Sequence, residues 1–116
     1  MATKKKLLQA AAGTAAGGDP TDITGVFSTY LYSGTGAAQT ITNGVDLAGE
    51  GGLVWIKSRD DTTDHILEDT ERGAIYRLSS NTTTGSEPDS NTVTAFNSNG
   101  FSIGGDLKIN TSNKDY

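Results

Sequence analysis

The sequence predicts an all-β domain, an antiparallel β-sandwich or barrel of short strands, behind an N-terminal arm. Three observations predict it. Gly, Ser, Thr and Asn make up 49 of the 116 residues, the mixture of turn formers and β-tolerant Thr that tight turns between strands require. Runs rich in β-branched and aromatic residues recur every 8–14 residues with turn signals between them, the spacing of sandwiches and barrels. After Gly18 no stretch of ten or more residues sustains a helical period, so nothing competes with the strand reading.

Residues 1–18, "MATKKKLLQAAAGTAAGG", read as an extended or short-helical docking arm. Lys4 to Ala12 has good helix propensity, but an isolated helix this short is marginal in water. Gly13, Gly17 and Gly18 break it, and "GGDP" marks the boundary with a β domain over 19–116. "VFSTYLY" (26–32) is the first strand candidate, with Phe27, Thr29 and Leu31 on one face. "AQTIT" (38–42) is the second; "NG" at 43–44 and "AGEGG" at 48–52 are turns. "GLVWIK" places Leu53 and Trp55 on one face and Val54 and Ile56 on the other. Apolar residues on both faces predict a central strand covered on both sides. "HILED", "AIYRLS", "NTVTAF", "GFSIG" and "DLKIN" complete the series. The chain then stops on Tyr116, an aromatic with no closing strand, which predicts that the polypeptide continues.

Charge and composition exclude several functions. The net charge is −5, but residues 1–18 carry three lysines and no acid, so the remainder stands at −8. So acidic a domain repels phosphate backbones, and nucleic acid is not an expected partner. Without cysteine there is no disulfide, thiolate nucleophile or zinc–thiolate site. No apolar run approaches a membrane span, so no insertion is expected. "LLQAAAGTAAGG" is too weakly apolar for the core of a signal peptide.

The chemistry concentrates in "GGLVWIKSRDDTTDHILEDTERG" (51–73), which holds the only Trp and the only His. Paired carboxylates could act on a glycoside, but acids in an Asp/Thr loop are ordinarily solvated, and no catalytic residue is expected. Asp60, Asp61 and Asp64 offer the hard oxygen ligands that Ca²⁺ takes, although the D-x-D-x-D-G spacing is missing. His65 has no Cys or second His beside it for a transition metal, and reads as a strand-start residue bonded to nearby backbone or carboxylate. Trp55, flanked by Leu53, Val54 and Ile56, reads as core. Tyr32 beside "SGTG" reads as the exposed ring on which a glycan could stack. No phosphate-cradling glycine motif occurs and no cofactor is expected. Arg72 is placed to hold the turn at Thr70–Gly73 by pairing with Asp69 or Glu71.

Several pieces together carry a resemblance: the Leu-Val-Trp-Ile-Lys strand, the Asp69–Gly73 "DTERG" turn, "SSNTT" and "FNSNGFSIG". With "FSTYLYSGTGAAQTITNGVDLAGEG" before them, the chain from about residue 7 to 116 resembles virion structural proteins of marine tailed phages, including cyanophages, of the tail or tail-fibre kind. The resemblance implies location in the virion, other virion proteins of tail or capsid as partners, and further β modules after Tyr116. At the level of fold it implies a lectin/concanavalin-like or jelly-roll-like sandwich. The expected function is assembly. The arm would dock on a neighbouring protein through Lys4, Lys5, Lys6, Leu7 and Leu8, and the β domain would form a symmetric oligomer such as a trimer. A carbohydrate-binding module for host-surface glycans and a capsid decoration protein are the alternatives.

Overall fold

The computed structural model describes residues 22–116, and its regular structure is nearly all strand, in antiparallel pairs. The all-β expectation holds at that level. The expected arm, residues 1–18, lies outside the described residues.

The described chain opens with a 3₁₀ turn at Ile23–Gly25, capped by Asp22, whose carboxylate accepts from the Thr24 amide and hydroxyl at 3.0 and 2.7 Å. An extended segment then leads to β1 (Gln39–Thr42). Asp46 caps a single helical turn, α1 (Leu47–Glu50), by accepting from the Gly49 amide at 2.7 Å, and Gly51 ends it at φ 78°. Next come β2 (Leu53–Ile56), β3 (Ile66–Asp69), β4 (Tyr76–Arg77), β5 (Glu87–Pro88), β6 (Val93–Asn97) and β7 (Gly100–Ile103).

Three antiparallel units result: a sheet in the order β1-β7-β6, the hairpin β2-β3, and the short pair β4-β5. The β6-β7 hairpin turns through Ser98 and Asn99, pairs Asn97 with Gly100, and carries a bulge between Val93 and Ala95. Strand β1 joins the other side of β7, Gln39 opposite Ile103 and Thr42 opposite Gly100. That approach requires glycine. Gly100 sits at φ 154°, and a Cβ there would lie 2.0 Å from the Ile41 carbonyl oxygen. An isolated bridge between Leu67 and Leu78 links β3 to the segment after β4.

One cluster of buried side chains joins these units: Ile41, Val93, Phe101 and Ile103 from the sheet, Val54, Ile56 and Ile66 from the hairpin, and Leu47, Ile109 and Tyr116 from between and after them. Alternation explains the choice, since Val54 and Ile56 point inward while Leu53 and Trp55 point out. The C-terminal stretch is tied down by Asn110, which is fully buried and fully bonded. Its carbonyl oxygen accepts from the Thr35 amide and the Gln39 side chain, both at 2.8 Å. Its amide donates to the carbonyls of Ala37 and Gly104 at 2.6 and 2.8 Å.

Four expectations are corrected. Residues 26–32 form no strand; only the bridge Ser33–Asp115 follows them. "DLKIN" is a turn, because the Asp106 carboxylate takes the Lys108 amide at 2.7 Å and its carbonyl takes those of Ile109 and Asn110. "AGEGG" falls across α1 and its glycine end, helped by the Asp46 cap. Tyr116 does not hang: it is buried, its backbone pairs with that of Tyr32 at 2.9 and 3.2 Å, and its hydroxyl accepts from the Thr111 amide.

Candidate docking surface

Strand β2 is paired on one side only, by β3, and the expected cover over its outer face is absent among the described residues. Its alternation therefore turns Leu53 and Trp55 to solvent, where they are 55 % and 59 % exposed. The extended segment 26–32 borders the same region and adds Phe27 and Leu31 at 63 % and 68 % exposure. Segment 26–32 and strand β2 both line an apolar groove of about 640 Å³, along with the core residues Ile41, Leu47, Phe101 and Tyr116. Single exposed apolar residues are ordinary; four on the two segments that line one groove make it a candidate contact surface.

The groove has structured walls. The Trp55 indole N–H donates to His65 Nδ1 at 2.9 Å, the two rings tilted by 50° with centroids 5.8 Å apart. This bond holds the indole in place across the hairpin. Lys57 and Arg59 also line the groove, and Lys57 Nζ donates to the carbonyls of Ser58 and Asp61 at 2.6 and 2.7 Å. Val45, Leu47 and Gly51 line it as well, next in sequence to the acidic Asp46 and exposed Glu50.

Trp55 and Tyr32 exchange the roles expected of them. Tyr32 stacks on Tyr116 with centroids 5.2 Å apart and planes at 17°, and its hydroxyl donates to the Ile109 carbonyl at 2.7 Å. Burial, reinforced by the neighbouring Tyr116, pushes the phenol well above its ordinary range. A ring so engaged is no platform for a glycan. His65 also differs from expectation, since an indole rather than a carboxylate or backbone group occupies Nδ1, while its own amide donates to Asn81 at 3.0 Å.

The expected calcium ligands go to separate partners. Asp60 accepts from the Asp115 amide at 2.7 Å, Asp61 lies 3.3 Å from Lys114 Nζ, and Asp64 accepts from the Asn81 side chain at 2.9 Å. Among the described residues no group of three or more His, Asp or Glu side chains could hold a metal ion. Lys4, Lys5, Lys6, Leu7 and Leu8 lie outside the described residues. The turn after β3 does follow expectation: Arg72 pairs with Asp69 at 2.6 Å, and Asp69 also accepts from the Arg72 and Gly73 amides at 2.8 and 3.0 Å.

One buried acid was not anticipated. Glu68 shares the inward face of β3 with Ile66, is fully buried, and accepts from the Thr92 hydroxyl and, at 3.0 Å, from the Val93 amide. Burial raises its pKa to about 7 against the pull of these bonds, and nearby Asp89 adds to the rise. Asp89 in turn lies 3.4 Å from Arg77 Nε, and Asp106 is raised chiefly by burial, opposed by the Lys108 amide. Glu68 does not line the groove; it joins hairpin β2-β3 to β6. Its signal in the sequence was its two-residue spacing from Ile66.

No helix among the described residues is long and apolar enough to cross a membrane. No curated protein and no solved structure gives a significant match to the chain. Residues 20–116 match the family described as Domain of unknown function (DUF7483), which covers the whole described part of the chain. The chain belongs to the DUF7483 family.

Proposed function

We propose that the chain is a structural protein of a phage virion, a tail or tail-fibre component that works by assembly. The observation that carries the reading is the exposure of Phe27, Leu31, Leu53 and Trp55 on the two segments that line one groove, apolar surface that contact with another protein would take out of water. The inward-facing residues of β1-β7-β6 and of β2-β3 meet in one core, which supports a two-layer sandwich. On this reading the arm, residues 1–18, docks on a neighbouring virion protein through Lys4, Lys5, Lys6, Leu7 and Leu8. The β domain packs with its copies in a symmetric oligomer such as a trimer. Burying two leucines stabilises the joint by roughly 1.5–3 kcal/mol each, offsetting the entropy of ordering the arm. Deleting residues 2–12 leaves the β domain folded by circular dichroism and abolishes incorporation into particles; normal incorporation would refute the arm's role. Immunogold labelling on the head instead of the tail would make the chain a capsid decoration protein.

A second reading has one specific observation behind it. The exposed Trp55 ring, fixed by His65 and near the Asp64–Asn81 pair, suits stacking against the apolar face of a host-surface sugar. A glycan-array signal lost on Trp55→Ala and kept on Tyr32→Phe would favour it.

A further inference from the structure

The single tryptophan and the single histidine of the chain meet on the outer face of the β2-β3 hairpin. Trp55 pairs with Leu67, so His65, two residues before Leu67, stands diagonally across from it, within reach of a large ring. We infer that His65 is a pH-sensitive latch on Trp55: the neutral imidazole holds the indole across the hairpin, and protonation lets it go. The inference stands on the geometry of this pair and holds whether a protein or a sugar meets the face.

The hydrogen-bonding capacity of the two rings sets the mechanism. An indole nitrogen can only donate, and Trp55 Nε1 donates to His65 Nδ1 at 2.9 Å. Nδ1 accepts only in the neutral imidazole that carries its hydrogen on Nε2. The imidazolium carries a hydrogen on both nitrogens, so two N–H groups would face one another with no acceptor between them. The bond cannot survive protonation. The backbone has no need to move with the ring. The His65 amide donates to Asn81 Oδ1 at 3.0 Å, and Asn81 Nδ2 donates to Asp64 at 2.9 Å. The entry to β3 therefore stays anchored while the imidazole turns.

The charged and polar groups around the ring come from each element beside it. Asp64 precedes it and is held by Asn81, a neutral side chain from beyond β4. Lys57, at the end of β2, has its ammonium on the carbonyls of Ser58 and Asp61. Glu68 belongs to the opposite, inward face of β3. The indole has one hydrogen to donate, and the latch uses it. With that bond open the exposed ring is free to change rotamer, and a partner that stacks on it must order it again and binds less tightly. The outer face of the hairpin is thus preorganised while His65 is neutral and loosened once it is charged.

One tryptophan and one histidine make the test direct, since each gives a single set of ring signals in NMR. The ¹⁵N-labelled full chain is titrated from about pH 8 to about pH 5, where histidine side chains ordinarily change charge, with circular dichroism confirming the fold throughout. The indole N–H resonance is expected to shift with the same midpoint as the His65 ring C–H signals, while its exchange with water accelerates. In His65→Ala the indole signal stays throughout at the position that the native chain reaches in acid. Glu68, raised to about 7, titrates in the same range, so Glu68→Gln is the control and keeps the transition. An indole signal that stays in place while His65 titrates overturns the inference. So does an indole transition that persists in His65→Ala, or a His65 that takes no proton before the fold is lost. None of these results bears on incorporation into particles, so failure here and failure of the assembly reading are separate outcomes.

Discussion

Glu68 shows how one side chain makes the stability of this fold depend on pH. Thr92 Oγ1 has a single hydrogen but faces two acceptors, a Glu68 carboxyl oxygen and the Asp89 carbonyl at 2.9 Å. When Glu68 is protonated it donates to Thr92, and Thr92 donates onward to Asp89; when Glu68 is ionised, one of these contacts loses its proton. The direction of linkage follows. A pKa raised from 4.5 to about 7 means that the fold favours the protonated form. The contribution is complete below about pH 4.5 and disappears as pH climbs through 7, on the order of 3 kcal/mol for a shift of this size. Asp106, also raised by burial, acts in the same direction. Glu68→Gln stays neutral, can still accept from Val93, and can donate to Thr92. Urea titrations between pH 4.5 and 8 are expected to give this variant a flatter profile and greater stability than the native chain above pH 7. Parallel profiles would show that Glu68 does not titrate in this window.

Among the elements, the sheet depends on one glycine at the β1-β7 approach. Strand β1 lies beside β7 because Gly100 leaves its place open to the Ile41 carbonyl. Gly100→Ala drives a methyl into that backbone and imposes a side chain on φ 154°, so a loss of roughly 3 kcal/mol or more is expected, with β1 amides exchanging faster by hydrogen–deuterium exchange. Unchanged protection of Gln39–Thr42 would contradict it. The existence of β1, β2, β3, β6 and β7 was legible in local patterns, because each is an alternating run between turn signals. Pairing was not legible. "GLVWIK" reads the same whether its outer face is covered or bare, so Trp55 was assigned to the core, and Tyr32 took the exposed role that its partner Tyr116, 84 positions away, removes. The run 26–32 has strand composition, but composition supplies no neighbour to bond with. "DLKIN" failed for a local reason, as Asp106 caps its own turn more readily than a strand forms.

At the scale of the whole molecule, the described residues form a β domain with one core and with large apolar side chains left exposed on β2 and on residues 26–32. The −8 charge of residues 19–116 sets copies of the domain against one another by repulsion despite these exposed apolar side chains. Family membership adds no activity to this picture, so the surface itself must be tested. Leu53 and Trp55 both point away from the core, so Leu53→Ser/Trp55→Ser removes the face without opening a cavity. The decisive measurement is the amount of this double variant incorporated into particles, set beside its thermal midpoint. The account predicts a midpoint within a few degrees of the native chain's, as for surface substitutions worth about 0.5 kcal/mol each, together with loss of incorporation. Native incorporation of a folded double variant would contradict it.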